Sequence, residues 1–145
     1  MNAPTPVVTF ELNGREVQAL VHETLIEVAA REGIEVPRLC YKEGMAYVVN
    51  CRSCMVEIDG ERVLAPSCCR HPSAGMKVKT DSPRAVSAQK MVLELLLSDM
   101  PEAEYTRKNE VDLWADKLGV GKPRFAPTRR QPQADRTHAA ISVNL

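Results

Sequence analysis

Cysteine spacing constrains this chain more tightly than any other feature. The five cysteines are Cys40, Cys51, Cys54, Cys68 and Cys69; ten residues separate the first two, two lie between Cys51 and Cys54, and thirteen between Cys54 and Cys68. A CxxC pair can turn back to put two thiolates on one metal centre, and single cysteines before and after it complete a four-thiolate cage with one thiol to spare. The stretch MNAPTPVVTFELNG lacks the basic start and long apolar run of a secretory signal. The expected compartment is therefore the cytoplasm, where thiols serve metals, clusters or catalysis rather than disulfides.

Two occupants suit such a cage. Structural zinc commonly uses two paired knuckles, but the second pair here is the adjacent Cys68 and Cys69, whose side chains diverge if that segment is extended, so zinc fits poorly. A plant-type [2Fe-2S] site takes a lone cysteine, a CxxC and a later lone cysteine. This chain has that order, with a longer first loop and a shorter final spacing. Its loop, KEGMAYVVNCRS, offers backbone donors for bridging sulfides, with Gly44 allowing close approach and Met45, Val48 and Val49 expected to exclude water.

The segments around the loop read as a small α+β domain. VVTFEL and EVQALV flank Asn13-Gly14, a strong hairpin signal, and Thr24 with Glu27 forms a capping box for a helix from about Leu25 to Glu32. CMVEIDGERVLAPS alternates around Asp59-Gly60 as a second hairpin, and GMKVKT supplies a further strand. Hairpin, helix, then more strands is a β-grasp pattern. From Ser82 the period becomes helical, with Ala88, Met91, Val92, Leu95 and Leu96 predicted on the buried face, and Leu93 and Leu97 widening it. A second helix follows Asn109, with Val111, Trp114 and Leu118 on one face and Gly119 at its end. Beyond Gly121 the proline- and arginine-rich stretch reads as an extended strap, closed by ISVNL, a strand-like run with no evident turn or partner. The expected division is a β-grasp domain over 1–81, a helical appendage over 82–120 and an extended linker over 121–145.

Nineteen basic residues balance nineteen acidic ones, which argues against nucleic acid or anionic lipid as a partner. No run approaches the ~18 apolar residues of a membrane span, so no direct membrane insertion is expected. His22, His71 and His138 do not make a Rieske site when four well-spaced cysteines already suffice, and no glycine-rich phosphate loop or activated nucleophile marks a catalytic centre. Arg38, Lys42, Arg52 and Arg70 flank the cysteines, where positive charge would favour reduction of an anionic centre.

The stretch GIEVPRLCYKEGM, continuing through NCRSCMVEIDGERVLAPSCC, resembles the N-terminal [2Fe-2S] domain of a family of NAD-linked enzymes. These are the large peripheral-arm subunit of NADH:quinone oxidoreductase, the diaphorase small subunit of NAD-reducing hydrogenases and the catalytic subunit of NAD-dependent formate dehydrogenases. The likeness covers about residues 7–100. It implies a β-grasp, ferredoxin-like fold, a [2Fe-2S] cofactor on Cys40, Cys51, Cys54 and Cys68, and a part in electron transfer rather than catalysis. Cys69 has no ligand role in that reading.

In many such relatives the helix ending LLLSD leads into a His and three cysteines that hold a [4Fe-4S] cluster. Here Met100 stands at the His position and no cysteine follows Cys69, so the resemblance implies no [4Fe-4S] site in this chain. DRTHAAISVNL resembles the segment that, in the formate dehydrogenases, precedes a ferredoxin module and a molybdopterin domain. The implied partners are a flavin- and NAD-binding diaphorase subunit and a molybdopterin-containing catalytic part. The alternatives are a free-standing [2Fe-2S] subunit of a hydrogenase or complex I-like enzyme and, from a different class, a zinc-stabilised interaction module.

Overall fold

In the computed structural model, residues 6–100, 109–126, 134–138 and 140–144 are described. Val7–Leu12 (β1) and Arg15–Leu20 (β2) pair antiparallel from Val7↔Leu20 to Leu12↔Arg15, leaving Asn13-Gly14 as a two-residue turn. Both turn residues have positive φ, 50° and 79°, a conformation that Asn and Gly adopt at little steric cost. The short helix Leu25–Arg31 (α1) follows. Met55–Ile58 (β3), Ala65–Pro66 (β4) and Lys77–Lys79 (β5) complete a five-stranded sheet in the order β2-β1-β5-β3-β4. β1 and β5 are parallel and the other neighbours antiparallel. Asn13 ties the first turn to this sheet, because its amide donates to Thr80 Oγ1 and its carbonyl oxygen accepts from Thr80 N–H, each at 2.8 Å.

Leu25, Ile26, Val28 and Ala29 of α1 pack on Phe10, Leu12, Val56 and Val78, which gives the α+β, β-grasp core expected from the sequence. Glu27 holds the helix start. Its Oε2 accepts from the Thr24 N–H at 2.7 Å and the Thr24 hydroxyl at 2.8 Å, while Oε1 accepts from the Tyr41 hydroxyl at 3.1 Å. Burial pushes the Glu27 carboxyl up, but the bonds from Thr24 and Tyr41 outweigh it and leave the group below its ordinary value. Burial, and then the Glu27 charge, push the Tyr41 phenol up to about 12. A single carboxylate thus caps α1 and anchors the residue beside Cys40.

Three expectations change. Asp59-Gly60 does not close a tight hairpin: β3 meets β4 only through Met55↔Pro66 and Val56↔Ala65, so residues 59–64 form a wider loop. On the opposite edge of β3, Glu57 and Ile58 pair with β5 and the Asp59 N–H bonds to the Lys77 carbonyl at 2.9 Å. In Pro83–Asp99 (α2), started by Ser82 accepting from the Ala85 N–H, the buried face carries Ala85, Gln89, Leu93, Glu94 and Ser98. Met91 and Leu95, expected inside, are 37% and 46% exposed. Polar bonding decides the face: Gln89 Nε2 donates to the Met55 carbonyl at 2.8 Å and the Thr80 carbonyl at 3.2 Å, and Glu94 receives the Arg124 guanidinium at 2.7 Å.

Glu110–Leu118 (α3) has the caps read from the sequence, with Asn109 accepting from the Asp112 N–H and Gly119 at φ 64°. It packs on α2, and Trp114 Nε1 donates to the Arg38 carbonyl at 3.1 Å, which ties α3 to the segment entering Cys40. Third, the terminal strand-like run has a partner, because Ala134–His138 (β6) pairs antiparallel with Ile141–Asn144 (β7). No helix among the described residues is long and apolar enough to cross a membrane.

Replacing Gln89 by Leu leaves two buried carbonyls without their donor, and chemical denaturation should show a loss of about 1–3 kcal/mol. Glu27 has a lowered folded-state pKa, so its contribution is present above the ordinary carboxylate value and fades as pH falls through the folded value. The stability gap between wild type and Glu27→Gln should therefore be about 1 kcal/mol at neutral pH and close as the solution is acidified below pH ~4. A gap independent of pH would contradict an ionised cap.

Candidate functional site

Strand register builds one half of the site. Cys54 immediately precedes β3 and Cys68 follows β4 by two residues, and because Met55 pairs with Pro66 the chain ends beyond that pair face each other. The Cys54 carbonyl accepts from Ser67 twice, from its N–H at 3.0 Å and its hydroxyl at 2.8 Å, and Ser67 is fully buried. Cys54 and Cys68 are both buried. Burial first, then the charge of Cys54 and a bond with its thiol, drive the Cys68 thiol well above its ordinary value.

The other half is made by a loop. Cys40 sits beside Tyr41, whose hydroxyl is fixed on Glu27, and it meets Cys51 across the turn. Burial raises the Cys51 thiol, but the Ser53 hydroxyl and N–H, then the backbone and thiol of Cys40, overcome this and hold its pKa at about 7. The Ser53 hydroxyl lies 3.1 Å from Cys51 Sγ. Val49 and Arg52, which bracket Cys51, both take left-handed backbone conformations, with φ of 54° and 57°. For a β-branched valine that conformation is a true outlier, and strain of this kind gathers where a loop must aim a side chain. Gly44 also has positive φ, 76°, which explains a glycine there.

Cys51 is thus linked to Cys40 and Cys68 to Cys54, and the charges of Cys69 and then Cys40 also act on Cys68. Among the described residues, no group of three or more His, Cys, Asp or Glu side chains is arranged to hold a single metal ion. Two thiolates on each of two irons is the donor set of a [2Fe-2S] centre, and this paired arrangement fits it. Cys69 Sγ donates to the Pro66 carbonyl at 3.6 Å. His71 Nδ1 lies 3.0 Å from the Glu23 carbonyl, and His138 Nδ1 accepts from the Ala140 N–H.

The flanking cations divide. Arg38 lies over the Tyr41 ring at 5.9 Å, Lys42 pairs with Glu110 at 3.0 Å and Arg70 pairs with Glu61. Arg52 is exposed and has no ion-pair partner among the described residues. Met45 and Val48, expected to keep water out, project outward at 67% and 54% exposure, and only Val49 of that trio packs on the core. Sequence reasoning missed Ser53 and Ser67, which were visible as the serine inside the CxxC and the serine before Cys68. It also read Glu27 only as a cap and did not see its bond to Tyr41.

Comparison with known proteins identifies the family. The family model for the 2Fe-2S iron-sulfur cluster binding domain matches residues 5–83. The chain is 39% identical over 123 residues to the NADP-reducing hydrogenase subunit HndD of Solidesulfovibrio fructosivorans, covering 79% of this chain and 21% of that protein. It is 33% identical over 98 residues to the mitochondrial NADH dehydrogenase (ubiquinone) iron-sulfur protein 1 of Solanum tuberosum, covering 68% of this chain and 13% of that protein. The chain thus spans about one fifth or less of the length of these relatives. Among solved structures, an NAD+-reducing [NiFe]-hydrogenase in the H2-reduced state superposes with a TM-score of 0.78 at 25% identity, over 91% of this chain and 57% of that one. With the family model covering more than half of the sequence and the cysteines gathered inside the matched region, the chain belongs to the 2Fe-2S iron-sulfur cluster binding domain family.

Proposed function

We propose that this chain passes single electrons within a larger NAD-linked oxidoreductase, through a [2Fe-2S] cluster held by Cys40 and Cys51 on one iron and by Cys54 and Cys68 on the other. The observation that carries the reading is the strand register that sets Cys54 against the Ser67–Cys68 step inside the region matched by the 2Fe-2S domain family. When bound, the cluster supplies one-electron storage, and the chain's residues hold and surround it. Ser67 closes the Cys54/Cys68 side, Glu27 and Tyr41 steady the approach to Cys40, and the left-handed turn at Arg52 aims Cys51. In this reading residues 1–81 carry the cluster, and the segments over 82–120 and 121–145 lead toward the rest of the assembly.

The finer placement is a molybdenum or tungsten formate dehydrogenase, in which a flavin- and NAD-binding diaphorase subunit and a molybdopterin part stand on either side. The close of the chain, DRTHAAISVNL, supports it. A hydrogenase is the second reading, favoured by the likeness to HndD and to the NAD+-reducing [NiFe]-hydrogenase. Isolating the complete assembly and supplying formate or hydrogen in turn separates them. NAD+ reduction with formate alone supports the first placement, and reduction with hydrogen alone overturns it in favour of the second.

The cluster itself is tested on the purified chain. Wild type prepared without oxygen should contain about two irons and two acid-labile sulfides, and Ser in place of Cys40, Cys51, Cys54 or Cys68 should lower that content, whereas Cys69→Ser should not. One tightly bound zinc and no iron would overturn the assignment. Arg52→Gln should lower the midpoint potential: one charge at ~7 Å and an effective dielectric of ~20 is worth about 100 mV before salt screening. An unchanged redox titration would count against an electrostatic role for that side chain.

A further inference from the structure

Ser53 sits inside the CxxC with no exposed surface at all, and its hydroxyl is 3.1 Å from Cys51 Sγ. A buried hydroxyl at that distance needs a partner, and no buried side-chain polar atom among the described residues lacks one. Once Cys51 is a metal-bound thiolate it has no proton to give, so the Ser53 oxygen must be the donor. The geometry points to Ser53 as a positioning residue that donates a fixed hydrogen bond to the Cys51 ligand sulfur and thereby favours the reduced state of the site. The inference rests on the proposed ligand set and goes beyond it, since Ser53 is not itself a ligand.

The physical reason is differential. Adding one electron increases the negative charge carried by the ligand sulfurs, and a hydrogen bond to a sulfur strengthens with the charge it accepts. Removing water makes the bond count for more, because no solvent dipole can replace the hydroxyl at a fully buried position. Its aim is not left to a flexible side chain: Arg52 in a left-handed conformation and the two hydrogen bonds that Ser67 donates to the Cys54 carbonyl fix the backbone on both sides of Ser53. The change of state is one electron taken from an external one-electron reductant, with no bond made or broken and the hydroxyl proton remaining on Ser53.

The test is a redox titration of wild type, Ser53→Ala and Ser53→Thr, poised with dithionite and mediators, alongside iron and sulfide content and the resonance Raman bands of the iron–thiolate stretches. The expected result is full cluster content in all three. In Ser53→Ala the reduced-to-oxidised ratio at fixed potential should fall about tenfold, a shift of ~59 mV for one electron. Its stretching bands should move and should lose their wild-type sensitivity to D2O, and Ser53→Thr should restore both signals. An alanine variant with full content and an unchanged potential overturns the inference. If the alanine variant fails to load, Ser53→Cys, nearly the same size and a much weaker donor, carries the comparison: a lowered potential supports the role and an unchanged one overturns it. Wild type that holds no two-iron centre is a different failure, that of the ligand set itself, and is read from the metal content before any titration.

Discussion

The pairing of Met55 with Pro66 is the contact on which the site depends. It is a two-residue ladder at the sheet edge, yet it sets Cys54 and the Ser67–Cys68 step against each other, and Ser67 then closes the junction with two bonds to one carbonyl. Backbone hydrogen bonding in a buried place tolerates little slippage, because a shift of one residue would turn the neighbouring side chains to the opposite face. Half of the sulfur cage is therefore positioned by sheet register. The other half is positioned by a loop that accepts left-handed backbone at Val49 and Arg52. The rigid pair gives the site its place, and the strained loop brings the second pair to it.

Polar side chains tie the helices to the segments around the site. Glu27 joins the start of α1 to Tyr41, Gln89 joins α2 to the ends of β3 and β5, and Trp114 joins α3 to Arg38. Each bond runs from a helix to a segment that leads into a cysteine or into the sheet beneath one. For the buried Gln89 an unpaired amide would cost more than a typical bond returns. The same reasoning applies to charge around the sulfurs. Arg38, Lys42 and Arg70 are occupied by Tyr41, Glu110 and Glu61, which leaves Arg52 as the cation whose field is least compensated among the four.

Much of this was legible in the sequence where a local rule and the global fold agree. Asn13-Gly14, Thr24 with Glu27, Ser82-Pro83 and the Asn109 to Gly119 frame are short-range signals, and each element they announced is present. The buried face of α2 was assigned by counting apolar residues, but Gln89 and Glu94 are buried because each finds polar partners distant in sequence. Asp59-Gly60 does turn, with the Glu61 N–H bonding to the Ile58 carbonyl at 3.0 Å, but the β3–β4 ladder starts only at Val56↔Ala65, so the turn does not close a tight hairpin. ISVNL seemed unpaired because its strand partner lacks alternating apolar character. The cysteine order could be read directly, whereas the division into two pairs needed coordinates.

The most direct measurement of the central claim is iron K-edge X-ray absorption on the anaerobically purified chain, in which the scattering shells report the neighbours of each metal. The account predicts a first shell of sulfur alone and a short iron–iron path, as two irons sharing bridging sulfides require. A first shell containing nitrogen or oxygen, or iron with no neighbouring iron, would contradict four cysteines meeting as two pairs on one centre.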